Sequence, residues 1–270
     1  MRIALRISVA TARGAALAVP RLVELLKRHG AEATFYFNLG PDRLHRFLPG
    51  REVGARARSA LATAREAGFE LGLYGWDPAR WTHRMRPGDA PWIETALTRA
   101  CEAFEHLVGE LPRTHAAPGW QTNRQVLRLT QRLGFQYAAD TRGHHPFMPV
   151  CEAELALCPQ LPTTLPTLDE LIDGGDAREE TAHEPVLDAT TGRDDTNHVF
   201  ALRAELGATI LAPAFERLLE GWRTRGCEIV ALRTVFESLE LARLPRHVVQ
   251  PHELAARAGT CAVQGPPFLA

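Results

Sequence analysis

The sequence predicts an α/β protein whose strands are mainly parallel, arranged as an open sheet or a barrel. Short apolar runs alternate with longer stretches of helical period, the pattern left by repeated βα units. At 270 residues, 45% of them hydrophobic, the chain fits one large domain or two small ones and can bury a substantial core. No run of eighteen apolar residues interrupts that pattern, so a transmembrane helix is not expected.

Each element follows from local pattern. Arg2–Val9 reads as a buried first strand, too short and polar for a signal peptide. The next segment, ALAVPRLVELLKRHG, puts Val19, Leu22, Val23, Leu25 and Leu26 on one stripe and stops at Gly30. AEATFYFNLG is a second strand, Arg56–Ala67 a helix, FELGLYG a third strand and Ile93–Val108 an amphipathic helix. THAAPG is a short strand end, Asn123–Leu133 a helix, and FQYAAD a strand closed by Asp140. A Pro-rich section leads to a short helix near Thr167, whose Asp169 and Glu170 suit a helix N-terminus. The polar stretch 173–197 is expected to hold a short helix within a loop. HVFALRAE and EIVAL complete the strands, with the helix Ala214–Arg225 between them. This gives one domain over 1–245 and a loop-rich strap over 246–270.

Charge and cysteine usage narrow the function. A formal net charge of -1 gives no support for nucleic-acid binding. Five cysteines (Cys101, Cys151, Cys158, Cys227, Cys261) lack CxxC spacing, which suggests reduced thiols in the cytosol. Cys151 and Cys158 alone do not complete a tetrahedral metal site.

The motifs carry a resemblance. In order they are RISVATARG (6–14), GPD (40–42), LYGWD (73–77), AAPGWQTN (116–123), YAADTRG (137–143), TLPTLDELI (164–172) and RAELG (203–207). Taken together they resemble the polysaccharide deacetylases of the NodB-homology type, and within them the deformylases of lipid-linked formamido-arabinose that serve lipid A modification. The resemblance implies a distorted (β/α) barrel of about seven strands, with chemistry at the C-terminal strand ends. It also implies metal-assisted amide hydrolysis. An Asp and two His hold a divalent metal, usually zinc, a second Asp acts as base, and a His protonates the leaving amine.

The sequence departs from that pattern at nearly every such position. Ser8 and Ala10 stand where the first motif carries aspartates, and Tyr74 and Pro78 where the second carries two histidines. Gln121 replaces an Arg, and Arg203, with a pKa above about 12, replaces the general-acid His. Asp140 alone of the charged set is retained. No cofactor or metal is therefore expected. The resemblance points instead to a pseudoenzyme that keeps a cleft formed by Trp76, Asp77, Trp120, Asp140, Arg142, Arg203 and Glu205. Arg203 is expected beside Asp140, paired with it or meeting a phosphate.

A sugar or lipid-linked sugar phosphate is the expected ligand, with an active deformylase as a further candidate partner. The alternative is an active deformylase or deacetylase with a rearranged zinc site. It would use Asp77, Asp140 and a loop His such as His144 or His145, with His83 and His115 also near in sequence. Asp77 otherwise caps the turn before Pro78, and His144 and His145 sit on a surface loop. The expected location is the cytoplasm. Arg43, Arg46, Arg51, Arg56, Arg58 and Arg65 allow at most peripheral, salt-sensitive contact with the inner membrane.

Overall fold

The computed structural model describes residues 1–42, 51–52, 54–85, 89–192, 196–253 and 260–269. The strands are β1 (Arg2–Val9), β2 (Thr34–Phe37), β3 (Pro41–Asp42), β4 (Arg51–Glu52), β5 (Glu70–Leu73), β6 (Thr114–His115) and β7 (Tyr137–Ala138). They continue with β8 (Met148–Cys151), β9 (Glu154–Leu155), β10 (His198–Arg203), β11 (Glu228–Val230), β12 (Arg246–Glu253) and β13 (Thr260–Pro267). The helices are α1 (Val19–Arg28), α2 (Gly54–Glu66), α3 (Pro78–Arg84), α4 (Ala90–Val108) and α5 (Arg124–Arg132). After them come α6 (Leu168–Asp173), α7 (His183–Ala189), α8 (Ala204–Gly207), α9 (Ala212–Thr224) and α10 (Leu232–Glu237).

A curled parallel sheet of seven strands runs β10-β1-β2-β5-β6-β7, with β11 also paired to β1. The first strand explains the curl. Ile3, Leu5, Ile7 and Val9 pack in the outer core with Leu22 and Leu26 of α1 and Phe215 and Leu219 of α9. Ala4, on the opposite face, joins Tyr36, Tyr74, Tyr137 and Val199 in a separate inner cluster. Gly72 belongs to this inner face, because a Cβ there would lie 2.6 Å from the Tyr36 ring. The gap between β7 and β10 is bridged by 159–165. Leu161 N–H donates to Ala138 O (2.8 Å), and Thr164 N–H donates to Val199 O (3.0 Å).

Capping residues set several helix limits. Asp89 accepts from Trp92 N–H (3.2 Å), so α4 starts at Ala90, before the Ile93 expected from periodicity. Asn123 caps α5 by accepting from Val126 N–H (3.1 Å). Thr167 and Glu170 form a capping box at α6. The stretch 173–197 contains α7, whose Leu187 fills the space that a side chain at Gly221 of α9 would need.

The tail corrects the sequence reading. In place of a loop-rich strap, β12 and β13 form an antiparallel hairpin, and β12 also pairs in parallel with β8. Pro251, Gly265, Pro266 and Pro267 mask the strand pattern there. Among the described residues, no helix is long and apolar enough to cross a membrane. Arg43, Arg46 and the side chains of Arg51 and Arg56 lie outside the described part, while Arg58 and Arg65 are exposed.

The lower half of the barrel is tied by Glu70. It accepts from Thr34 Oγ1 (2.5 Å), Tyr137 Oη (2.7 Å) and Arg233 N–H (3.0 Å). Burial outweighs these donors and raises its carboxyl above the ordinary 4.5. A carboxyl raised on folding stabilises the native state at pH below 4.5, and that contribution is lost as pH rises through the folded value. Relative to Glu70→Gln, wild-type unfolding free energy is therefore expected to fall as pH rises above 4.5, by up to about 1.4 kcal/mol per pH unit. Urea denaturation across that window measures the slope, and a flat difference would contradict the assignment.

Candidate site at the barrel mouth

The C-terminal ends of β1, β2, β5, β6, β7 and β10 meet at one mouth. Its central polar element is Asp140, fully buried just after β7. Asp140 Oδ1 lies 2.8 Å from His115 Nδ1 and accepts from Ala117 N–H at 2.8 Å. Gln160 Oε1 in turn accepts from Asp140 N–H (3.0 Å). The expected pairing of Arg203 with Asp140 is not formed. Arg203 ends β10 with its side chain 52% exposed, and among the described residues its nearest acid is Asp169, at 4.0 Å. His115 occupies the place at the carboxylate, because β6 and β7 run side by side with His115 opposite Ala138.

Ala117 passes the arrangement on to Arg6. The Arg6 side chain is buried, and its Nη2 donates to Ala117 O (3.3 Å). The guanidinium lies against three rings: Trp120 (5.3 Å), Tyr36 (5.7 Å) and Tyr74 (5.8 Å). Trp120 also carries Arg142 against its ring at 4.9 Å and donates from Nε1 to Thr163 Oγ1 (2.9 Å). Both oxygens of Glu170 accept from Arg142 Nη1, at 3.0 and 2.9 Å. Sequence reasoning named Trp120, Asp140 and Arg142 but missed Arg6. A cation in the middle of the run IALRISV was the available signal, since a buried charge needs partners.

The loop after β1 is held by side chains. Glu205 Oε1 accepts from Ala10 N–H (3.0 Å), Thr11 N–H (2.9 Å) and Thr11 Oγ1 (2.9 Å). Asn38 Nδ2 donates to Ala10 O (2.8 Å), and Asp42 Oδ2 accepts from Ala12 N–H (2.8 Å). A Cβ at Gly14 would sit 2.3 Å from Glu205 Oε1 and would push the carboxylate out of this position.

The donor set does not fit the zinc centre that the resemblance implies. Ser8 is buried and turns its hydroxyl to Leu202 O (3.4 Å). Ala10 offers a methyl, Tyr74 lies against a guanidinium, and Pro78 opens α3. Gln121 donates from Nε2 to Thr260 O (3.2 Å). Glu205 Oε1 is already taken by three donors.

A relocated site has no geometry behind it either. Asp77 caps α3 from a left-handed conformation (φ 52°) and accepts from Arg80 N–H (3.3 Å). His144 and His145 are exposed. Among the described residues, neither they nor Asp77, His83, His115 or Asp140 join any group of three metal-ligating side chains. Trp76 is half-buried against Gly40, where a Cβ would lie 2.7 Å from its ring. No disulfide joins the cysteines among the described residues, and burial pushes the Cys101 thiol up to about 12.

Removing the central carboxylate tests this account. Asp140→Ala strips His115 and Ala117 N–H of their buried acceptor and is expected to cost about 3–5 kcal/mol. Chemical denaturation measures that loss, and a cost below about 1 kcal/mol would deny Asp140 this role.

Comparison with known proteins places the chain. Residues 13–138 match the family described as Polysaccharide deacetylase. A probable 4-deoxy-4-formamido-L-arabinose-phosphoundecaprenol deformylase from Shewanella sediminis is 29% identical over 266 residues, covering 86% of this chain and 84% of that protein. Its namesake from Wigglesworthia glossinidia brevipalpis is 28% identical over 193 residues, covering 59% and 67%. A solved structure from Mycobacterium smegmatis, ascribed to the polysaccharide deacetylases, superposes with a TM-score of 0.71 at 18% identity, covering 93% and 95%. A CE4 family pseudoenzyme from Bacillus anthracis superposes with a TM-score of 0.56 at 13% identity, covering 87% of this chain and 65% of that one. The curled parallel barrel, the ordered motifs and these relatives agree: the chain has the polysaccharide deacetylase fold, and its residues 13–138 match that family.

Proposed function

We propose that this protein is a non-hydrolytic member of its family, a pseudoenzyme that retains the mouth as a cleft for a sugar or lipid-linked sugar phosphate. The observation that carries the reading is the donor set at the strand ends. Ser8, Ala10, Tyr74 and Pro78 supply no carboxylate and no imidazole, and the family's hydrolysis needs both to hold and use a metal. Losing one supporting partner of a metal ligand costs roughly 10–100-fold in affinity or activity, so losing the ligands themselves weighs far more. No side chain at the Arg203 position can serve as a general acid near neutrality while it remains arginine.

What is kept suits binding. Arg203 stands exposed at the rim with only a distant acid, and a phosphate is a better partner for a guanidinium than a carboxylate 4.0 Å away. The names of the curated relatives supply the ligand class, an arabinose linked through phosphate to undecaprenol. Arg142 is committed to Glu170, while Arg203, held by the 4.0 Å pair with Asp169, can turn toward an anion.

Two measurements test the reading. Release of formate or acetate from amide substrates, with zinc, cobalt or manganese added, is expected to stay at the buffer rate. Turnover above that rate would sink the non-hydrolytic half. Titration with a pentose 1-phosphate, followed by tryptophan fluorescence, is expected to saturate, and Arg203→Ala to weaken it at least about fivefold. No saturable binding by the wild type would sink the cleft half.

A further inference from the structure

The outer helical layer brings three metal-ligating side chains together, away from the mouth. We propose that His29, Glu216 and Glu220 form a binding site for a divalent transition-metal ion, zinc foremost. Among the described residues this is the one place where three such groups each offer a ligand atom within 4.8 Å of the others. His29 is the C-cap of α1, and its side chain is only 9% exposed. Its Nε2 lies 3.3 Å from Glu216 Oε1, while its Nδ1 is buried with no hydrogen-bond partner among the described residues. Nε2 is therefore the nitrogen turned toward Glu216.

Geometry favours a small ion. Two donors bonded to a tetrahedral zinc at about 2.0–2.1 Å stand about 3.3 Å apart, which matches the His29–Glu216 separation. Glu216 and Glu220 sit four residues apart on α9, so both carboxylates face the same side of the helix. One imidazole and two carboxylates make a three-ligand set that suits zinc and leaves a position for water. The site would clasp the end of α1 to α9, two helices that already share the core over β1.

One competitor is in place. Arg28 Nη1 lies 3.2 Å from the same Glu216 Oε1, in a pair whose side chains are 59% and 36% exposed. Exposed pairs of this kind contribute little, so a divalent ion is expected to displace the guanidinium. This competition distinguishes a metal site from an ion-pair cluster. If zinc binds here, removing Arg28 tightens it.

The test is zinc titration of the full chain, stripped with chelator, against a chromophoric zinc indicator, with melting temperature followed in parallel. The wild type is expected to take up one zinc per chain and to melt at higher temperature when loaded. His29→Ala and Glu220→Gln are each expected to weaken binding at least about tenfold, and Arg28→Ala to tighten it about two- to fivefold. Glu220 is exposed, so its variant keeps the test valid should His29→Ala fail to fold. Less than one zinc per ten chains would overturn the site. So would affinity unchanged by Glu220→Gln, which would place the ion elsewhere, for instance at the His145 and His247 rings 5.0 Å apart. The outcome is independent of amide turnover at the mouth.

Discussion

The mouth of this barrel depends on one buried carboxylate. Asp140 holds the ends of two neighbouring strands together through His115 and the Ala117 amide. Ala117 then presents its carbonyl to Arg6, and Arg6 stands between three aromatic rings. A carboxylate with no exposed surface is costly unless its bonds are met. Here two donors meet one oxygen, and they come from the strand that must lie beside it. The same residue thus fixes strand order and shapes the floor of the cleft.

The neighbouring loop is ordered by side chains that reach it from two other segments. A metal ion joins segments by drawing several side chains to one charge. In this chain Glu205 does the joining, with one oxygen gathering two backbone amides and a hydroxyl. Asn38 and Asp42 hold the same loop from the other side. With no aspartates at positions 8 and 10, the mouth also avoids the repulsion that clustered carboxylates would suffer without a cation.

Much of this was legible in the sequence, for identifiable reasons. Alternation and helical period are local signals, so β1, α1, α4 and the order of βα units could be read directly. The substituted positions were legible because the frame around them, from RISVATARG to RAELG, is intact. Pairings across the barrel were not. Asp140 was expected to meet Arg203, but strand adjacency gives it His115, and no spacing in the sequence encodes that adjacency. The last hairpin was hidden because proline and glycine interrupt strands whose partners lie about a hundred residues earlier. Asp77 followed local chemistry and caps a helix as its place before Pro78 suggested.

That hairpin has a consequence for the order in which the protein can be made. Cys261 and Val263 of β13 pack with Trp120 and Ala201, and Arg142 exchanges backbone hydrogen bonds with Ala262 and Gln264. One wall of the cleft is therefore synthesised after the barrel strands that it closes upon. Until it emerges, Trp120 has no cover on that side, and the barrel can be complete while the cleft is not. Assembly of this wall is a long-range step in folding, and it is separable in time from formation of the core.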